Sequence, residues 1–340
     1  MDALPPSAIV WLTRPQGPLI GLAARRAGVR LVGVGAESPL TDPIPFADDA
    51  ERFTDLRLAV TTTEARTLLL AAPPPRGPES DDAELLRLAR SRNMSILSLE
   101  PFPGSLTAAA LAEAAAWAES VRVIPLFCEH EAMQGLPDVL ESFGPPRTVS
   151  VSFRSGRACS GLGARLFDAM HLVHTTLGMP ESIDACVITE VSASGLRLEP
   201  AESLRHLHGD LTANLRYSGA RAAAISLSDR GGRWFRGALA LGEGGCLRLD
   251  ETGVERIGPE GETIESRPEP GRPVDAVLEH VDPLALRSLA GALERAHDPR
   301  RARAAPPDPA PVLAMCEAAL LSARTGQPES PATMERMVRP

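Results

Sequence analysis

Residues 7–34, SAIVWLTRPQGPLIGLAARRAGVRLVGV, carry the reading that decides the fold. Ser7–Thr13 is a short apolar run of the kind that forms a strand covered on both faces of a parallel sheet. The loop Arg14-Pro15-Gln16-Gly17-Pro18 follows. Leu19–Ala27 then places its apolar residues on one helical stripe and stops at Gly28, and Val29–Val34 is apolar again. Strand, helix and strand in succession predict a βαβ unit with parallel strands.

Working outward, the same alternation continues to about residue 124. Asp55–Ala65 reads as helix, Thr67–Ala72 as strand and the proline-rich Pro73–Pro78 as loop. Asp82–Arg92 is helix, Met94–Leu99 strand, Ser105 opens a long alanine-rich helix to Glu119, and Val121–Phe127 is strand. Residues 1–124 therefore predict a Rossmann-type parallel sheet. Past Phe127 the texture changes. Thr148–Phe153, Asp210–Tyr217 and Arg221–Ser228 alternate apolar and polar residues, and Arg236–Ala240 and Leu247–Ile257 add strands around Gly244-Gly245. That pattern predicts a mostly antiparallel open sheet with one covered face. With the helix Gly163–Leu177 it makes 125–340 an α+β domain, ending in helices over 284–296 and 310–324.

Composition narrows the functions. A net charge of −9 and a pI near 5.4 exclude a nucleic-acid or anionic-membrane surface, which needs clustered positive charge. No apolar run approaches the ~20 residues that span a bilayer, and Met1–Pro6 has no signal-peptide character, so a cytoplasmic location is expected. The five cysteines are far apart and form no CxxC pair, as buried reduced thiols do. The chain has no lysine: all 35 basic residues are arginine, which excludes any lysine proton donor or Schiff base.

Four stretches carry a resemblance: Leu97–Pro101 (LSLEP), Leu166–Gly178 with Pro180-Glu181-Ser182 after it, Trp234–Leu249 (WFRGALALGEGGCLRL) and Cys316–Pro328 (CEAALLSARTGQP). In their order along the chain they resemble the glucose-fructose oxidoreductase/inositol dehydrogenase (Gfo/Idh/MocA) family from end to end. That resemblance implies a Rossmann domain, a second α/β domain whose open sheet often serves oligomerisation, and NAD(P)-dependent chemistry. It also exposes departures. The family's GxGxxG turn falls on Leu12, Arg14 and Gly17, so only the last glycine remains, and Pro15 and Pro18 remove amide donors. Arg14 can pair with a phosphate, and Glu37, 20 residues past Gly17, can hold a ribose. The family's Glu-Lys-Pro lysine becomes Glu100, a general acid or base if burial raises its pKa.

On the family's active-site helix the His-x-x-Asp pair appears in swapped order, as Asp168 and His171. Residues at i and i+3 share a helical face, so Asp168 is expected to orient His171 and raise its pKa. His174 extends the stripe. With Glu100, Glu129 or His130 it could complete a metal site, though spacing alone does not establish one, and no metal is expected. Cys128 beside His130 and the group His206-Leu207-His208-Gly209-Asp210 are further clusters, both explained as well by loop and strand-end positions.

Three functions stay open. The lost glycines and lysine favour a protein that keeps the fold and not the cofactor: a pseudoenzyme, ligand-binding or partner subunit, with none expected as cofactor. The alternative is an NAD(P)-dependent oxidoreductase with an altered site, acting on a sugar-like or polyhydroxylated small molecule. The third is cofactor-free or metal-assisted acid–base chemistry by Asp168, His171 and Glu100. In each, the partners are a small sugar-like ligand and a second subunit, identical or not, on the open sheet.

Overall fold

The computed structural model describes residues 6–73, 80–102, 104–105, 121–129, 132–156, 159–192, 195–197, 203–231, 235–268, 281–297 and 309–338. They divide into two compact units, one built from 1–126, 157–160 and 276–309, the other from 127–156, 161–275 and 310–340.

The first unit contains strands β1 (Ser7–Trp11), β2 (Arg30–Gly35), β3 (Glu51–Phe53), β4 (Thr67–Leu70), β5 (Ser95–Ser98) and β6 (Val121–Val123). Its helices are α1 (Gly17–Arg26), α2 (Leu56–Thr62) and α3 (Ser80–Ser91). The six strands are all parallel, in the order β3-β2-β1-β4-β5-β6. Chain direction across the sheet reverses between β1 and β4, the switch point beside which doubly wound sheets bind ligands. Every residue of β4, and every residue of β1 but Ser7, is buried, as the continuous apolar runs require of central strands. Gly21 lets α1 lie against residues 44–45: a Cβ there would come within 2.1 Å of the Pro45 carbonyl oxygen.

Three local differences have simple causes. β3, only three residues long with two of them exposed, carries too little pattern to be read from sequence. The strand predicted over Val121–Phe127 stops at Val123; Pro125 has no amide to donate, and residues 126–129 form a turn. The helix expected from Ser105 to Glu119 falls, beyond Ser105, outside the described residues.

The second unit contains helix α4 (Leu136–Phe143), strand β7 (Thr148–Arg154), helix α5 (Leu162–Leu177) and strand β8 (Ser182–Ile188). A two-stranded ribbon, β9 (Glu190–Ser192) and β10 (Gly195–Arg197), precedes β11 (Asp210–Tyr217), β12 (Arg221–Ser228) and β13 (Phe235–Gly242). Then come β14 (Gly245–Asp250), β15 (Gly253–Ile257) and β16 (Thr263–Pro268). The large sheet has eight strands in the order β16-β15-β14-β13-β7-β12-β11-β8. Only its β7–β12 pairing is parallel. The single strand expected over Leu247–Ile257 is a hairpin: the Asp250 carboxylate accepts the Thr252 amide (2.8 Å) and turns the chain.

Helix α6 (Pro283–His297) belongs to the first unit and packs on α1. The sequence division assigned it to the second domain, since an apolar stripe does not say which surface covers it. Helices α7 (Ala310–Thr325) and α8 (Pro331–Val338) belong to the second unit, and α5 and α7 cover one face of its sheet. The helix α5 packs on β7 and β12, and its Leu166, Met170 and Val173 are buried, as are Val149, Val151, Phe153, Ile225 and Leu227 of those strands. Each such leucine, isoleucine or phenylalanine stabilises the fold by about 1.5–3 kcal/mol.

On the uncovered face few apolar residues fall within 211–217 and 222–227. Leu211, Leu215, Tyr217, Ile225 and Leu227 point inward, leaving Thr212, Asn214, Arg216, Ala222, Ala224 and Ser226 outside. Strict period-2 alternation puts the large apolar set on the helix-covered side. The exposed hydrophobic residues of this face lie on β13 instead: Phe235, Leu239 and Leu241.

Candidate functional site

In the first unit, the sequence-predicted cofactor residues stand together at the carboxyl edge of the parallel sheet. Arg14 follows β1 and Glu37 follows β2; both are exposed. Gly17 is buried at the start of α1. The Arg14 guanidinium pairs with Asp42, a contact that raises its pKa. Glu100 follows β5 at the same edge. It is 2% exposed, and its carbonyl accepts the Ser98 hydroxyl (2.5 Å).

The second unit holds the acid–base pair. Helix α5 is capped by Gly161 before it and Gly178 after it, whose φ of +80° suits glycine. It is buried along most of its length, so its charged residues need partners. Arg165 donates to Ser155 Oγ, to the Gly156 carbonyl (2.7 Å) and to the Ser228 carbonyl (3.3 Å), tying α5 to the ends of β7 and β12. Asp168 is held by two donors on one oxygen: Oδ2 accepts the Phe127 amide (2.8 Å) and Nη1 of Arg236 (3.2 Å). Both members of the Arg236–Asp168 ion pair are buried, with side chains 2% and 4% exposed. The Arg236 guanidinium lies 5.6 Å from the centre of the Phe153 ring, which packs on Phe127 at 4.9 Å.

His171, one turn beyond Asp168, is partly buried, and its Nδ1 has no hydrogen-bond partner among the described residues. Sequence reasoning expected Asp168 to orient this ring and raise its pKa. The structure corrects the first point, and burial outweighs the second. No hydrogen bond joins the two, because Asp168 turns to Phe127 and Arg236, and burial lowers the His171 pKa despite the opposing pull of Asp168 and Glu129. Burial likewise raises the Asp168 pKa, against Arg236 and the Phe127 amide. His174 is lowered by burial too, with Glu335 opposing.

Cys128 lies beside Asp168. Burial first, and that carboxylate second, push its pKa well above the ordinary thiol value, so it is no activated nucleophile. His130 is outside the described residues, as are the side chain of His206 and residue 131. His208 shares Asp229 with the Gly209 amide in a loop contact (3.3 and 3.0 Å). No group of three or more His, Cys, Asp or Glu side chains among the described residues is placed to hold a metal ion. No described helix is long and apolar enough to cross a membrane.

Sequence reasoning missed Arg236. A signal was present: Arg236, Ala238 and Ala240 share a face of β13, so an arginine occupied a parity that otherwise points inward. It also missed Gln16, treated there only as a loop residue. Gln16 is 2% exposed, and its carboxamide is fully engaged.

No known family model matches the sequence, and no curated protein does. Solved structures do match. An oxidoreductase from Agrobacterium radiobacter, in complex with NAD+, L-tartaric acid and magnesium, aligns over 97% of this chain and 100% of its own. The identity is 16% and the TM-score 0.66. A levoglucosan dehydrogenase in complex with NADH and L-sorbose aligns over 96% of this chain and 99% of its own, at 10% identity and TM-score 0.67. A myo-inositol dehydrogenase from Corynebacterium glutamicum covers 96% and 99%, at 14% identity and TM-score 0.60.

At such identities the likeness is one of fold, and it is the two-domain fold that the Gfo/Idh/MocA resemblance implied. It corrects one expectation outright. The oxidoreductase and the levoglucosan dehydrogenase hold NAD+ and NADH on this same architecture, so the expectation of no cofactor is overturned. The pseudoenzyme reading finds no support among these matches.

Proposed function

We propose that the chain is an NAD(P)-dependent oxidoreductase acting on a hydroxyl group of a sugar-like or polyhydroxylated small molecule. The observation that carries this reading is the end-to-end match to oxidoreductases solved with NAD+ or NADH. The residues present suit such a nucleotide in part. Arg14 offers a cation for phosphate and Glu37 a carboxylate for ribose hydroxyls, beyond the carboxyl ends of adjacent strands. The Thr13, Gln16 and Gly17 amides of the β1–α1 turn do not suit it, being already engaged.

A bound nicotinamide supplies a hydride acceptor or donor; the chain's own residues manage the proton. His171, kept neutral by burial, accepts the proton of a substrate hydroxyl, or returns it in the reverse direction. Asp168, anchored by Arg236 and the Phe127 amide, places negative charge one turn away, where it stabilises the imidazolium as it forms. Glu100, which lies in the first unit, is a separate acid–base candidate. A titration of NADH and NADPH against the melting temperature tests the reading. At about 100 times Kd, a ligand stabilises the fold by roughly 2.7 kcal/mol. No shift with either nucleotide would reject the proposal.

The open face of the eight-stranded sheet supports a second reading, self-association. Phe235 and Leu239 border a concavity of about 790 Å³ with Ser150, Ser152, Asn214 and Arg248. Leu241 is also exposed on β13. Apolar side chains grouped on one strand suit burial by a second copy. Leu239→Arg is expected to convert the assembly to monomer in sedimentation; a wild-type chain that sediments as a monomer at micromolar concentration would exclude it.

A further inference from the structure

We propose that the diphosphate of the nucleotide is held by the Arg14 guanidinium and not by backbone amides, because Gln16 has closed the turn that normally offers them. The inference rests on the reading of the chain as a nucleotide-dependent oxidoreductase.

Gln16 is a polar residue buried at the switch point of the parallel sheet. Its Oε1 accepts the Thr13 amide (2.8 Å) and the Thr13 hydroxyl (2.9 Å). Its Nε2 donates to the Ala71 carbonyl (2.6 Å), just past β4, and approaches the Cys159 carbonyl (3.4 Å). One carboxamide thus spans the ends of β1 and β4, where the strand order reverses and a ligand would enter.

Other donors of the turn are engaged as well. The Gln16 amide donates to the Thr13 carbonyl (2.9 Å), the Gly17 amide to the Arg14 carbonyl, and Pro15 and Pro18 have no N–H. A phosphate settling on the turn would have to break these bonds and strand the buried Ala71 carbonyl without a donor.

The cation beside this turn is Arg14, with 66% of its side chain exposed and Asp42 as its partner. A guanidinium exchanges one oxyanion for another readily, since its fork of donors matches carboxylate and phosphate alike. Asp42 therefore holds the place that phosphate oxygens take when a nucleotide binds.

Calorimetric titration of NADH and NADPH into the wild-type chain, Arg14→Ala and Asp42→Asn tests this. Loss of Arg14 is expected to weaken binding about 10- to 100-fold, the usual worth of a charge-assisted pair. Loss of the competing Asp42 carboxylate is expected to tighten it several-fold. Both side chains are more than half exposed, so melting temperatures should stay close to wild type. Wild-type binding that Arg14→Ala leaves unchanged overturns the clamp alone. If the wild-type chain binds neither nucleotide, the proposed function falls and takes this inference with it.

Discussion

Replacing Arg236 with leucine is expected to destabilise the protein by about 3–5 kcal/mol, the cost of leaving one member of a buried ion pair without the other. Arg236 and Asp168 are both almost fully buried, so solvent cannot take over either charge. The carboxylate would keep the Phe127 amide and lose its cation in a low-dielectric surrounding. The unfolding midpoint should fall on the order of 10 °C. The double variant Arg236→Met with Asp168→Leu removes both charges and should recover much of the loss, because well-packed apolar substitutes often match a buried ion pair. An Arg236→Leu chain within about 1 kcal/mol of wild type would mean that Asp168 is neutral in the fold.

His171→Ala is expected to have the opposite profile. Turnover should drop about 10²- to 10⁴-fold, the usual contribution of a general base. Stability should change little, because Nδ1 has no hydrogen-bond partner among the described residues to strand. His206→Ala serves as the comparison and should leave turnover as it was. The pH dependence follows from the direction of the His171 shift. Burial places its folded pKa below the ordinary value of about 6.5, so at pH 7 the ring is neutral and ready to accept a proton. Alcohol oxidation should therefore be level near neutrality and decline on the acid side, with its inflection below about 6.5. Stability has the same sign. As pH falls below about 6.5 the unfolded chain takes up a proton that the folded chain refuses, so folding weakens until the folded pKa is passed. Turnover of His171→Ala within a factor of two of wild type would remove this residue from the mechanism.

The parts of the fold readable from sequence are those in which local pattern and burial coincide. The runs 7–13 and 67–72 became central strands because a parallel sheet covered on both faces selects continuous apolar sequence. The alternation of 210–217 and 221–228 became β11 and β12 with the same residues. Short pieces escaped: β3, the β14–β15 turn and α8 hold too few residues for a period to show. The site was legible only as residue types. Asp168 and His171 could be found on one helical face, but the burial that outweighs the pull of Asp168 on His171 could not.

By itself, the sequence determined the plan of a parallel sheet followed by a mostly antiparallel one, the absence of lysine, and the presence of an acid and a base one turn apart. These follow from period, composition and spacing, which are local properties. Only the tertiary structure decided how the groups are paired. Asp168 meets Arg236 across 68 positions, and Gln16 reaches Ala71 across 55. Whether a charge is matched or desolvated depends on such distant neighbours, and no window along the chain contains both members. Burial, a property of the assembled core, then outweighed the nearby Asp168 and set the direction of the His171 pKa.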